Sequence, residues 1–351
     1  MNNGSFELPD WPFSLGAPEV SGCIRMHLED FCVREIPQFI PSGEGNHLWL
    51  EVEKRGANTH WVAEQLAASA GIPARDVGYA GMKDRHGVTS QWFSVALQEA
   101  RYPDWQGWQI PDVVFLQVQH HNRKLKRGAL NGNRFEIVVR ELDGHIEGLE
   151  ERLAQLDKAG MPNYFGPQRF GFHGNNVLRG MNWLEHGGRL PRNKRSIYIS
   201  SVRSFLFNQV LARRVSLRNW NRILDGEIAM LNGSHSVFPC PMPDPELTRR
   251  CGTFDIHPTG PMPGNGGMRP EREAGILEEE ILAGHSTMIE ALSKNGARAE
   301  RRSLRLVPEN LQFDLNGANL TLTFDLPAGT YATTLLRELV TCDSDGHIPE
   351  P

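Results

Sequence analysis

The sequence predicts a mixed α/β protein in two parts, on three observations. Apolar residues alternate with period two in several short runs of the first half. Stretches of helical period separate those runs, and from about residue 174 the pattern turns helical. The length of 351 residues suits two domains, each large enough for its own core. In chain order, residues 48–52 alternate apolar and polar and predict a strand. Asn58 is placed to cap a helix through about Ser69, with Trp61, Val62, Leu66 and Ala70 near helical spacing and Gly71-Ile72-Pro73 closing it. Residues 91–97 and 113–119 predict strands, as does 135–140, where Phe135, Ile137 and Val139 alternate with Glu136, Val138 and Arg140. Ile146, Leu149, Leu153 and Leu156 stripe one face of a helix ending near Gly160. The stretch 174–224 is helical in pattern, whereas 238–267 holds seven prolines and is predicted as loop. Helix returns at 271–282 and 288–292. A strand at 320–324 and a helix at 331–340, behind the turn Pro327-Ala328-Gly329, close the chain.

Composition narrows the function. A hydrophobic share of 39% with 23% charged residues describes an ordinary globular chain, with no internal repeat. No apolar stretch approaches the ~18 residues of a membrane span. The first 20 residues carry three acids and no Lys or Arg, unlike a signal peptide. Cys23, Cys32, Cys240, Cys251 and Cys342 form no C-x-x-C pair and leave one over. Neither a disulfide framework nor a zinc site is expected, and a reducing cytoplasm is the default. The net charge of −5 argues on its face against a nucleic-acid partner. Its distribution argues the other way. Residues 113–135 contain no acid but hold Arg123, Lys124, Lys126, Arg127 and Arg134; residues 186–224 contain none but hold nine cations, Lys194 and Arg195 among them. These stretches carry +5 and +9, so the remainder carries −19. Such polarity suits a polyanion surface, the alternative being two solvated faces.

Chemistry concentrates in 78–91, a glycine-bounded run between a helix and a strand. Asp84 sits between Lys83 and Arg85, which favour its charged form, and a pre-positioned carboxylate is a candidate nucleophile or base. The competing reading is a turn Asp making an Asx hydrogen bond. His86 lies close enough to invite an acid–base pairing, although a lone His is more often structural. Asn133, in Asn131-Gly132-Asn133-Arg134-Phe135, reads as part of a plain turn with Phe135 in the core, or as a group that reads a base edge. Asn163, Phe165, Gln168 and Arg169 belong to an aromatic, amide and cation loop that suits either nucleotide stacking or the sealing of a domain boundary. Phosphate-binding glycine motifs, a Ser-His-Asp order and H-E-x-x-H are missing, and the His and Cys spacing supports no metal. Neither metal nor nucleotide cofactor is expected.

Four runs in fixed order, GMKDRHGVTSQ, NGNRF, PNYFGPQRFG and LPAGTYATTLLREL, resemble the TruD family of tRNA pseudouridine synthases, from about residue 16 to the C-terminus. The resemblance implies cofactor-free isomerisation of uridine to pseudouridine in tRNA, at position 13 in the bacterial branch. It implies Asp84 as the catalytic residue, with Phe31, Asn133 and Tyr331 at the base pocket. Arg25 stands at a position usually occupied by Lys. Phe135 is a further pocket wall, and Arg25, with Lys83 second, is the cation to pair with Asp84. The implied architecture is a pseudouridine-synthase catalytic domain with a mixed sheet and flanking helices, from residues 1–158 and 306–351. A TRUD domain, α/β, is inserted at 159–305. Two positions depart from the family pattern. Gly87 stands where Ala is usual and should loosen the loop slightly; Tyr331 stands where Phe is common and brings a hydroxyl that needs a partner. The expected partner is tRNA, held in part by Lys124, Lys126, Arg127, Lys194 and Arg195, with no membrane and with the protein a monomer. A non-catalytic RNA-binding protein of this fold is the alternative, against which Asp84, Asn133 and an aromatic at 331 argue. A metal-dependent nuclease would need clustered carboxylates that the sequence lacks.

Overall fold

Alternation and capping locate most elements near their expected places in the computed structural model, which describes residues 7–97 and 105–343. In chain order these are β1 (Val20–Ile24), β2 (Phe31–Pro37), β3 (His47–Arg55), α1 (Thr59–Ala70), β4 (Gly78–Tyr79), β5 (Val88–Ala96), β6 (Val113–His121) and β7 (Leu130–Gly144). There follow α2 (Leu149–Ala159), β8 (Met161–Pro162), α3 (Pro167–Phe170), α4 (Asn175–His186), α5 (Arg192–Ser216), β9 (Glu227–Leu231), β10 (Val237–Cys240), α6 (Pro245–Gly252) and β11 (Ile256–Met262). The remainder comprises α7 (Arg272–Leu282), α8 (Ser286–Lys294), β12 (Glu300–Ser303), β13 (Arg305–Leu306), β14 (Glu309–Asn316), β15 (Asn319–Pro327), α9 (Ala332–Leu339) and β16 (Thr341–Asp343). Asn58 caps α1 by accepting from the His60 N–H, and Gly71 ends it with φ 66°, the left-handed turn that glycine adopts without penalty. No helix among the described residues is long and apolar enough to cross a membrane.

The chain packs as two units. Among the described residues the sheet unit comprises Glu19–Leu149, Pro308–Gly329 and those from Val340. Its mixed sheet runs β14-β15-β7-β2-β5-β3-β6, with β1 beside β7, β16 beside β1 and β4 beside β5. Pairing is antiparallel except at β2–β5 and β1–β16. Leu48, Leu50 and Val52 of β3 pack with Val62 and Leu66 of α1 and Phe93 and Val95 of β5. The helix-rich unit holds, among the described residues, those up to Pro18, Glu150–Val307 and Thr330–Leu339. Its core joins Phe205, Leu206, Phe207 and Leu211 of α5 to Val177 and Leu184 of α4, and to Tyr164, Phe165 and Phe170.

Two expectations are corrected. Residues 238–267 are not loop: they contain β10, α6 and β11. Pro239 sits on β10, which among the described residues pairs with β9 alone, and a strand bonded on one side tolerates the missing N–H. β11 bonds β9 through Pro258 and β12 from Thr259, so it too is paired along one side at a time. Asp244 caps α6 by accepting from the Leu247 N–H, with Pro245 at the first helical position, a start signal masked by the surrounding prolines. The second correction concerns Asn131-Gly132-Asn133, which is strand rather than turn. β7 begins at Leu130 and is bonded on both sides there, Gly132 opposite Ile36 of β2 and Pro327 of β15. A Cβ at Gly132 would press on the Leu326 carbonyl, so the glycine serves close strand approach.

Candidate active site

The loop between β4 and β5 carries Lys83 to Gly87, and four neighbours hold its backbone. Gln91 of β5 donates to the Gly81 carbonyl at 3.0 Å and accepts from the Thr59 hydroxyl at 2.9 Å. Thr59 Oγ1 in turn accepts from the Lys83 N–H at 3.0 Å. Lys54 Nζ donates to the Asp84 carbonyl at 2.7 Å, and the Gly56 N–H to the Gly87 carbonyl at 3.2 Å. These bonds from strand and helix termini make the loop a fixed platform rather than a mobile connection. Gly87, expected to loosen it, does the opposite: a Cβ there would run into the Phe31 carbonyl.

On that platform Asp84 makes the Asx turn and also meets a cation. Its Oδ1 accepts the His86 N–H at 3.1 Å, an Asx turn, while Oδ2 accepts from Arg25 Nη2 at 2.5 Å. The side chains of Arg25 and Asp84 remain 21% and 24% exposed. Arg25 follows β1 with φ 63°, a left-handed conformation unusual for a side-chain-bearing residue, and its Nε is buried with no hydrogen-bond partner. Its guanidinium lies 4.2 Å from the centroid of the Phe31 ring. Phe31 meets Phe135 edge-on at 6.3 Å, and Phe135 stacks on Phe324 at 5.3 Å. Phe31 and Phe135 are thus buried walls behind Arg25.

Lys83 does not share Asp84 with Arg25. Its Nζ meets Glu35 Oε2 at 3.1 Å, both side chains buried; burial pushes the Glu35 carboxyl up while Lys83 pulls it back. A neighbour in sequence lost to one in space because the loop turns the two side chains apart. Asn133 lies opposite Glu35 on β2 and Leu326 on β15, and its Oδ1 is buried without a hydrogen-bond partner. Lys124 donates to the Arg75 carbonyl at 2.5 Å, Arg127 lies on the Tyr79 ring and donates to its hydroxyl at 2.8 Å, and Lys126 is exposed. Arg134 is spent on Asp325 in a bidentate pair at 2.7 and 2.8 Å.

Tyr331 belongs to the helix-rich unit. Its hydroxyl accepts from Arg169 Nε at 3.1 Å, which supplies the partner that this departure from Phe required. Arg169 also donates to Ser200 Oγ at 3.0 Å. Asn163 is buried, its Oδ1 accepting from Arg302 at 2.6 Å and its Nδ2 donating to the Ser303 carbonyl at 2.9 Å. Phe165 is buried against Phe207 and Tyr331 with Arg302 4.1 Å from its ring centroid. Burial lowers Arg302 to about 10. Asn163 and Phe165, expected as RNA contacts, are therefore internal supports, whereas Gln168, Lys194 and Arg195 are exposed. The 186–224 run is also less of a surface than its charge suggests. Arg214 is buried on Glu227 at 2.8 Å and Arg203 meets Glu300 at 3.0 Å, acids distant in sequence. Among the described residues no cluster of three or more His, Cys, Asp or Glu is placed to hold a metal ion.

Sequence reasoning missed Lys54 and Thr59, and gave Gln91, the last residue of GMKDRHGVTSQ, no role. Thr59 carries no motif, but Lys54 falls by alternation on the same face as Leu48, Leu50 and Val52, a lysine where an apolar residue belongs.

A crystal structure from Methanosarcina mazei described as tRNA pseudouridine synthase D (TruD) superimposes with a TM-score of 0.76, covering 97% of this chain and 98% of that one. At 21% identity that likeness speaks for the fold alone. A family model described as tRNA pseudouridine synthase D (TruD) matches residues 12–186 and 175–339. The tRNA pseudouridine synthase D of Methylococcus capsulatus is 45% identical over 96% of both chains. That of Nitrosococcus oceani is 46% identical over 92% of this chain and 91% of its own. The chain belongs to the TruD family of tRNA pseudouridine synthases.

Proposed function

We propose that this protein isomerises uridine to pseudouridine in tRNA, at position 13, with Asp84 as the catalytic residue and no cofactor. The observation that carries the reading is the Asp84 carboxylate itself: half-open, gripped by Arg25, and set on a loop whose backbone is tied to β3, α1 and β5, in a chain of the TruD family. The chemistry is balanced without a co-reactant, because uridine and pseudouridine are isomers. The C1′–N1 bond breaks, the uracil turns, C5 bonds to C1′, C5 loses its proton and N1 gains one. A carboxylate serves this either by adding to C1′ or by taking a proton from the sugar. Arg25 fixes its direction in both cases. The target uridine must leave its stack, at a cost of a few kcal/mol that pocket contacts offset. The buried, unpartnered Oδ1 of Asn133 is suited to accept the uracil N3–H, with Phe31 and Phe135 supplying apolar walls.

In this reading residues 159–305 form the inserted TRUD domain, and Gln168, Arg169, Lys194 and Arg195 on its side, with Lys124, Lys126 and Arg127 on the other, contact tRNA phosphates. Purified protein incubated with unmodified tRNA, followed by nuclease digestion and nucleoside chromatography, tests the reading. Wild type should form pseudouridine, and Asp84→Asn should slow it by a thousandfold or more, on the order of what removing a nucleophile costs. Turnover by Asp84→Asn at the wild-type rate overturns the assignment. Binding of tRNA by wild type without any pseudouridine overturns the activity.

A further inference from the structure

We propose that Lys54 is a positioning residue for Asp84: its buried ammonium pins the catalytic loop through the Asp84 carbonyl and supplies the positive charge behind the carboxylate. The inference rests on the reading of Asp84 as the catalytic group. Lys54 is fully buried near the end of β3, opposite Thr89 of β5 and Val113 of β6. A lysine in such a place has to be explained, because an ammonium removed from water is costly unless it is paired. Its Nζ donates at 2.6 Å to the Ala57 carbonyl and at 2.7 Å to the Asp84 carbonyl, and it forms no ion pair within 4.0 Å of a carboxylate among the described residues. Two carbonyls compensate less than a carboxylate would. The charged groups that act on it are Asp84, which favours the ammonium, and Lys83, which opposes it. Lys83 is itself held by Glu35, so the Asp84 carboxylate is the anion within reach of the Lys54 charge. Burial lowers Lys54 to about 8, so its charge is lost as the pH rises through that value.

The geometry divides the labour at Asp84. Arg25 grips the carboxylate, whereas Lys54 grips the peptide carbonyl. With a neutral Lys54 the carbonyl loses its charged donor, and Oδ2 keeps Arg25 but not its place. A displacement of about 1 Å at a reacting group costs up to a hundredfold in rate.

The test is the pH dependence of kcat for wild type, Lys54→Met and Lys54→Arg with unmodified tRNA, with Asp84→Asn as the inactive reference. Wild-type kcat should fall with an apparent pKa near 8 as Lys54 discharges, while KM for tRNA stays flat. Lys54→Met should lose about tenfold to a hundredfold in kcat at neutral pH, keep its KM and show no such limb. Lys54→Arg should keep part of the rate and carry its limb beyond the measured range. A Lys54→Met enzyme with wild-type kcat overturns the proposal, as does a wild-type profile flat to pH 9.5. The profile stands alone if the variants fail to fold. Inactive wild type, or active Asp84→Asn, would instead fault the assignment of function beneath it.

Discussion

In the helix-rich unit Arg214 donates to Glu227 at 2.8 Å with side chains 2% and 0% exposed; in the sheet unit Arg25 donates to Asp84 at 2.5 Å with 21% and 24% exposed. The two pairs have the same chemistry and different surroundings. Arg214 spends its other terminal donors on the carbonyls of Asn219 and Arg222, and Glu227 Oε1 accepts the Ile228 N–H, so that pair is closed off within the fold. Among the described residues the Asp84 carboxylate takes Arg25 and one backbone N–H, and its side chain stays partly open to solvent. A sealed pair acts on stability because removing one partner strands a charge. An open pair acts on chemistry because a newcomer can reach it.

Breaking each pair should therefore show opposite signatures. Arg214→Ala should lower the unfolding free energy by about 3–5 kcal/mol, the cost of leaving a buried carboxylate without its partner. Pseudouridine formation at temperatures where that variant stays folded should persist. Asp84→Asn should leave the thermal midpoint near wild type while turnover disappears. Equal stability loss in the two variants would erase the distinction.

A second contrast sharpens it within the helix-rich unit. Arg305 Nε donates to His257 Nδ1 at 3.1 Å, so the proton of His257 sits on Nε2, facing Asn232 Oδ1 at 3.1 Å. Burial first, and Arg305 second, hold His257 down to about 4. The unfolded chain protonates this ring nearer 6.5. Between those values the unfolded state binds more protons, so stability is complete above about pH 6.5 and falls as pH drops toward 4. The loss is at most about 3 kcal/mol. Thermal midpoints of wild type and His257→Asn across that window should converge as the pH falls.

The smallest effect belongs to the loop itself. Gly87→Ala should cost about 1–3 kcal/mol, because its Cβ must displace the Phe31 carbonyl. Urea denaturation at neutral pH measures it. A neutral or stabilising result would mean that β2 yields easily, and with it the support behind Arg25.

Much of the sheet unit was legible. Alternation marked β3, β5, β6, the middle of β7 and β15, and the caps at Asn58 and Gly71 bounded α1. Proline counting failed at β10 and β11 because a missing N–H is harmless on whichever side a strand is unbonded. At the site, the loop around Asp84 was visible as a cluster, but its partners were not. Arg25 stands 59 residues away and Lys54 30. Both are brought in by sheet pairing, which spacing along the chain does not encode. Adjacency pointed to Lys83, and the fold gave Lys83 to Glu35. The acid-free runs misled in the same way, since Glu227 and Asp325 reach into them from elsewhere.

The left-handed backbone at Arg25 sets folding and turnover against each other at a single residue. A side chain there costs about 1–2 kcal/mol relative to an unstrained conformation, which glycine would recover. Drift toward glycine would therefore make the protein sturdier while removing the guanidinium that grips the Asp84 carboxylate. A population screened for thermal resistance alone should lose Arg25 early, whereas one screened for modified tRNA should retain a long cation there.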